Sequence, residues 1–513
     1  MTDTTTATAA SVPVAPQGLP LLGHALPLLR DPLAFIMSLS GYREMVRVKL
    51  GPSSAVMICD PALTRQVFLN DKVYDKGGPI YDRIREVIGD GLSTCSYTLH
   101  RRQRRLCQPS FHPTRLPGYG AVFARASEAK AESWSEGDIL DVTQEMMTLT
   151  TRATMETMFS GALPEETMRR ALADTATIVS AFFRRMMTPA FLRQLPTPQK
   201  RRYDAARDRL AETIAEVIAD RRADPTDHAD LLSTLVGAVD EESEDGQKQL
   251  SDAELADEAL TFFLGGMETT AITLAWALHL LATNPDVQRR LQAETDSVLA
   301  GGKLDAAHLP SLELAGRVVT ETLRLYPPAW MMTRTVRQDA ELGGVKLKSG
   351  STLVLSPYLL HRRPDLYTEP DRFDPDRWLE GQPDRATYIP FGAGPRKCIG
   401  DQFALTEAIL ALTAIVSRWE LTPVGDEPFK PKVETSLSSR GLFLRLTERK
   451  KDSAGDAELR AAEPSTSSEP AAAAAPATPA EPATAAAPAA EAEPATPAQS
   501  STQPGAATCP VKH

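Results

Sequence analysis

The chain has 513 residues and a net charge of −11, with 42% hydrophobic and 24% charged residues, the proportions of a soluble globular protein and not of a nucleic-acid binder. Its five cysteines (Cys59, Cys95, Cys107, Cys398, Cys509) show no CxxC pairing, which excludes a disulfide framework and a cysteine-rich zinc site. The N-terminus lacks a basic, apolar leader, and no uncharged run approaches the roughly 18 apolar residues of a membrane span, so a cytoplasmic protein is expected.

Residues 1–18 are small, polar and proline-bearing and read as disordered. A single body is expected over 19–450. Residues 451–513 hold 22 alanines, 10 prolines, eight acids and three bases, a tail that cannot bury a core; without it the body carries −6. Met45–Leu50 and Ala55–Cys59 read as a hairpin, and Asp60-Pro61 as the N-cap and first residue of a helix. From about 99 to 326 the pattern is helical between proline breaks, with an exposed acidic loop at 238–249. The helix of about Asp252–Thr283 is the longest and most apolar, and Asn284-Pro285 ends it. Beyond Pro327, Ala340–Val354 and Leu442–Leu446 carry β-type patterns, and a last apolar helix covers about Phe403–Trp419. The fold class expected is mainly α with small β-sheets.

Phe391-Gly392-Ala393-Gly394-Pro395-Arg396-Lys397-Cys398-Ile399-Gly400 carries the most chemistry. Two glycines and a proline make a rigid loop, and Gly400 permits close backbone approach to a flat group. A cysteine at a helix N-terminus beside Arg396 and Lys397 is expected to sit as thiolate, a good ligand for haem iron. The full spacing F-x-x-G-x-R-x-C-x-G lifts it above an ordinary buried cysteine. Gly265-Gly266-Met267-Glu268-Thr269-Thr270 sits mid-helix, where each glycine costs about 1 kcal/mol against alanine. Close approach to a cofactor, with a widened turn, would account for that cost, and an acid and a hydroxyl there could relay protons. Glu321 and Arg324 share one helix face. His100 and Arg104, one turn apart, can reach the same carboxylate.

The decamer resembles the haem-ligand signature of the cytochrome P-450 family, and the likeness runs from about Leu19 to Glu448. It implies one haem-containing domain of that fold, with haem b held between two helices and Cys398 as the iron ligand. Glu268 and Thr269 match the family's acid–alcohol pair. Phe391, Gly392 and Gly400 match the cofactor loop, while His100, Arg104, Arg334 and Arg396 match positions that hold the haem propionates. Glu321 and Arg324 match the family's E-x-x-R pair, and Pro370-Asp371-Arg372-Phe373 resembles the segment that completes a buried Glu-Arg-Arg brace, assigned here to Arg372.

The resemblance implies a monooxygenase that uses O2 and external NAD(P)H. No flavin-binding stretch follows the body, so a separate ferredoxin and ferredoxin reductase are expected to deliver electrons to a monomeric enzyme. Lys397, Arg101 and Arg102 would form the basic docking face. Pocket candidates lie in Pro79–Tyr81 (Ile80, Tyr81), Phe182–Phe183, Phe262–Phe263, Ala329–Met332 (Ala329, Trp330, Met331) and Leu437, with Gly265. Their apolar character favours a small hydrophobic substrate. Pro20–Phe35, Leu99–His112, Phe183–Pro189 and Ala329–Arg334 are similar to actinomycete sesquiterpene oxidases, which implies a terpenoid. A peroxygenase or O2-independent isomerase, a fatty-acid, macrolide or steroid hydroxylase, and a non-catalytic haem protein remain alternatives.

Overall fold

In the computed structural model, which describes residues 12–160, 164–188, 195–224, 226–243, 246–381, 384–425 and 429–450, the packed body begins before Leu19. Val14 bridges Arg47, the Ala15 N–H donates to Arg47 O at 2.9 Å, and Val12 and Ala15 are buried. Order therefore extends upstream of the expected start, because Val12 and Ala15 bury their side chains beside a strand. The rest of the expected disorder, at 1–11 and in the tail 451–513, lies outside the described residues.

Short helices α1 (Ala25–Arg30) and α2 (Pro32–Ser38) lead into β1 (Met45–Leu50) and β2 (Ser53–Ile58), the expected hairpin. Asp60 caps α3 (Pro61–Leu69), accepting from the Leu63 N–H at 2.7 Å. Then come β3 (Tyr74–Asp75), α4 (Pro79–Ile88), α5 (Tyr97–Cys107), α6 (Leu116–Glu132), β4 (Ile139–Asp141), α7 (Val142–Phe159), α8 (Glu165–Met187), α9 (Pro198–Ala223) and α10 (Leu231–Gly237). The long helix α11 (Asp252–Thr283) opens on a Ser251–Glu254 capping box and buries most of its apolar residues against α7. After α12 (Pro285–Leu299) and α13 (Glu313–Leu325), strands β5 (Met332–Val336), β6 (Ala340–Leu342), β7 (Val345–Leu347) and β8 (Thr352–Leu355) resolve the β-type stretch. The chain closes with α14 (Pro357–Leu360), α15 (Asp401–Arg418), β9 (Trp419–Pro423), β10 (Lys432–Val433), β11 (Leu437–Ser438) and β12 (Phe443–Glu448).

The main sheet has the order β1-β2-β8-β5-β3, with only β2 and β8 parallel. A second sheet, β4-β12-β9, packs at the far end of α11. Two cores result, one among the helices around α11 and α15 and one under the main sheet. The loop 238–249 is not wholly exposed: Asp240 is buried and pairs with both ends of the Arg105 guanidinium, at 2.9 and 2.8 Å.

Candidate active site

The loop 389–400 is folded by its own backbone. Gly392 N donates to Ile389 O, Lys397 N to Gly394 O and Cys398 N to Phe391 O, each at 3.0 Å. Gly394 is obligatory: its φ is +69°, and a Cβ there would lie 2.2 Å from Phe68 O at the end of α3. Gly400 is less demanding, since a Cβ there would touch only the Phe111 ring at 3.5 Å. Cys398 is exposed to a cavity between α11 and the start of α15 that holds about 1560 Å³ of space, mouth included.

The expected local activation of the thiol is not what the charges do. The Arg396 guanidinium is spent on Asp75 (2.6 Å) and Asp71 (3.5 Å), and Lys397 pairs with Asp401. Burial pushes the Cys398 thiol up, opposed by donation from the Gly400 N–H.

Behind the loop, Glu321 and Arg324 on α13 form a bidentate pair at 2.8 and 2.9 Å with both side chains wholly buried. Arg324 also donates to the carbonyls of His361, Pro370 and Arg372. The third member of this brace is not Arg372, whose side chain is 62% exposed and pairs with Glu369. Asp374 caps the turn Pro375–Trp378, which swings Arg377 inward to donate to Glu321 Oε1 at 2.9 Å. Trp378 Nε1 and Asp374 N–H complete the shell around Glu321. His361 ties this shell to the cysteine loop: the Ile389 N–H donates to its Nε2 at 2.9 Å, which leaves Nδ1–H for Arg324 O at 3.1 Å.

The cavity's other wall is α11. Gly265, Thr269, Thr270 and Phe262 line it, and the helix runs through Gly265–Thr269 as unbroken α-helix, without the expected widened turn. Thr269 Oγ1 donates to Gly265 O at 2.7 Å. Glu268 does not line the cavity; Ser436 Oγ donates to its Oε1 at 2.8 Å, and burial raises its pKa. His100, Arg104, Arg334 and Arg396 all line the cavity, and so does Lys76, which sequence reasoning missed. Lys76 Nζ donates to Ser93 O at 3.0 Å, and burial beside Arg334 and Arg396 pulls its pKa down to about 7. Among the described residues, Lys76, Arg104 and Arg334 form no ion pair, and the buried His100 Nδ1 has no partner. Burial, and after it the charges of Arg396, Lys76, Arg104 and Arg101, pull the His100 pKa down to about 3.

Of the pocket candidates, Tyr81, Phe262, Gly265, Ala329 and Met332 line the cavity, as does Phe391 of the cofactor loop. Phe263, Trp330 and Leu437 are buried in the cores, and Met331 packs against the sheet-side core; none of the four lines the cavity. The reason is phase. Phe262 shares a face of α11 with Gly265, Gly266 and Thr269, and Met332 points inward from β5 where Met331 does not. The side chains of Ile80, Phe182 and Phe183 lie outside the described residues. Thr154 and Met158 on α7 and Leu92 and Ser93 on the 89–96 loop also line the cavity, with no sequence motif to announce them. The expected docking face loses Arg102, which pairs with Glu254 at 2.6 Å and donates to Gln247 O and Gln249 O.

The family described as Cytochrome P450 matches residues 13–449. Pentalenene oxygenase of Streptomyces avermitilis is 42% identical over 85% of this chain and 97% of its own. Cyclooctat-9-en-7-ol 5-monooxygenase of Streptomyces melanosporofaciens is 44% identical over 80% and 89%. The crystal structure of the cytochrome P450DA heme domain superposes with a TM-score of 0.75 at 28% identity, over 86% of this chain and 98% of that one.

Proposed function

The chain belongs to the cytochrome P450 family and is a monooxygenase of that family, and from that premise we propose that it oxidises a C–H bond of an apolar terpenoid of sesquiterpene size, with electrons from a separate ferredoxin and its reductase. The observation that carries the reading is the shared cavity onto which Cys398 and Thr269 both open. Its walls suit haem b, which the family implies. Cys398 would ligate the iron, and the unpaired Lys76, Arg104 and Arg334 with the orphaned His100 Nδ1 suit two propionate carboxylates. When bound, haem supplies the iron that binds and activates O2.

The chain's own groups do the rest. The Glu321–Arg324–Arg377 brace and His361 hold the cysteine loop rigid. Thr269 Oγ1 is the hydroxyl placed to pass a proton into the cavity, turning away from Gly265 O to do so. Glu268, one residue back, is raised by burial and held by Ser436, and is the acid next in sequence to that hydroxyl. Phe262, Leu92, Ala329 and Met332 keep water from the reacting end of an apolar substrate. The terpenoid assignment draws on that apolar wall and on relatives whose names are terpenoid oxygenases.

The test is NADPH and O2 consumption with a surrogate ferredoxin system, against a substrate panel of sesquiterpenes, fatty acids, macrolides and steroids. Sesquiterpene-dependent turnover is expected. Turnover that needs only peroxide, even with competent redox partners, would remove the O2-dependent reading.

A further inference from the structure

Helix α11 carries two acids upstream of the cavity, Asp257 and Glu258. Asp257 is half-buried and Glu258 wholly buried, and among the described residues neither has a cation partner. What faces them is more acid: Asp90 and Glu254 act on Asp257, while Asp257 and Glu254 act on Glu258, with the Cys107 thiol of α5 also against the Glu258 carboxyl. A carboxyl buried without a counter-charge is costly, so its position calls for a use. Glu258 also opens the stripe of α11 that faces the cavity. Thr261, Phe262 and Gly265 follow it at i+3, i+4 and i+7, and all three line that space.

Both acids are spent on one loop. Asp257 Oδ2 accepts from the Asp90 N–H at 2.9 Å, and Glu258 Oε2 accepts from the Leu92 N–H at 3.0 Å. The loop between α4 and α5 comes this close because its contact residues are glycines. A Cβ on Gly89 would fall 1.9 Å from Asp257 Oδ1, and one on Gly91 2.7 Å from Asp257 O. Leu92 and Ser93, next in the chain, line the cavity. The far side of the loop is tied as well: Gln103 of α5 donates to Asp90 O at 3.0 Å, and Arg85 of α4 to Thr94 O at 2.8 Å. Burial raises the Glu258 pKa to about 8, so near neutral pH it is the uncharged acid, whose carbonyl oxygen still accepts the amide.

We propose that Asp257 and Glu258 are positioning residues for substrate: they latch the 89–93 loop against α11 and so fix the cavity wall that Leu92 and Ser93 present to the bound molecule. Neither acid touches that molecule. The inference rests on the reading of this cavity as the haem and substrate site, and it names the residues that set how bulky a molecule the wall holds firmly. A latch made to backbone amides holds the loop whatever its side chains are, which leaves Leu92 and Ser93 free to serve the substrate.

The experiment uses the haem-loaded full chain and two azoles followed by the Soret shift: imidazole, which needs only the iron, and clotrimazole, bulky enough to press on the wall. Hydrogen exchange of the peptide spanning 88–95 reads the latch itself. Glu258→Leu keeps bulk but removes the acceptor, and Asp257→Ala acts on the half-buried side. Each should speed exchange of that peptide by about tenfold and raise the clotrimazole Kd by about as much, with the imidazole Kd and the CO-difference spectrum unchanged. Glu258→Gln, which retains an acceptor oxygen and matches the neutral acid, should stay at wild-type values. The proposal is overturned if exchange in Glu258→Leu and Asp257→Ala keeps the wild-type rate, or if it quickens while the clotrimazole Kd does not move. It is equally overturned if imidazole weakens as much as clotrimazole, or if Glu258→Gln behaves like Glu258→Leu. Neither probe is a terpenoid, so a wrong substrate assignment leaves these readings in place, whereas a wrong haem assignment removes the CO-difference signal from the wild type.

Discussion

Replacing Arg377 by Met tests the brace behind the cysteine loop most directly. The change removes the Nε donation to Glu321 Oε1 (2.9 Å) and the Nη1 donation to Thr368 O (3.0 Å) from a side chain only 12% exposed. Glu321, wholly buried, keeps Arg324, Trp378 Nε1 and Asp374 N–H, so its charge is not abandoned. Loss of one partner of several should cost about 2 kcal/mol, below the roughly 3–5 kcal/mol of stripping a buried ion outright. If this interaction is absent from the transition state for haem release, 2 kcal/mol shortens the half-time of haem loss by about thirtyfold. The matched control is Arg372→Met, an exposed i,i+3 pair with Glu369 that solvent screens. The assay is transfer of haem to excess apomyoglobin, followed by absorbance. Equal rates for the two variants, or an Arg377→Met rate close to wild type, would refute the assignment of the brace.

Further outcomes are expected. Cys398→Ser should abolish the thiolate-type shift of the CO-bound ferrous spectrum while leaving far-UV circular dichroism intact. Thr269→Ala should uncouple the enzyme, with NADPH oxidation continuing but product falling by about a hundredfold and peroxide rising; retained coupling would show that proton delivery does not pass through that hydroxyl. Glu258 and Glu407 are buried carboxyls pushed up to about 8. Their folded-state pKa values exceed the unfolded ones, so the stability they favour is full below about pH 4.5 and is lost as pH rises to about 8. Glu407→Gln should therefore flatten the fall in stability of the wild type across that window, as read by urea titration at several pH values. Gly91→Ala would place a Cβ 2.3 Å from Thr261 Oγ1 and 2.7 Å from Asp257 O, displacing the loop that carries Leu92 and Ser93. Substrate Kd, read from the binding-difference spectrum, should rise at least tenfold with the thiolate signature unchanged.

Much of the site could be read in the sequence because its parts are local. The cysteine decamer and the Glu321–Arg324 pair each lie within one short segment whose geometry follows from spacing. Arg372 and Arg377 were separable only in part: Pro370-Asp371-Arg372 and Pro375-Asp376-Arg377 share one texture, and only the Asp374-capped turn shows which side chain goes inward. Phe262 could have been preferred over Phe263 by counting back from Thr269 in steps of helical phase. Lys76 could not have been found, because its place depends on β3 pairing with β5 some 260 residues later. The quenching of Arg396 by Asp71 and Asp75 was hidden for the same reason.

His361 has a consequence for the order of assembly. The contacts of the Glu321 brace, from Arg324 through His361 and Arg377 to Ile389, are made inside the stretch from Glu313 to Cys398. The opposing contacts span far more chain: Arg104 to Lys397 O bridges 293 residues and Arg396 to Asp75 bridges 321. Short-range contacts pay less loop-closure entropy and form sooner. The iron-ligand wall can thus be set as a unit before the propionate wall arrives, leaving the cleft open from one side while the cofactor enters and closing it when residues 75–104 dock.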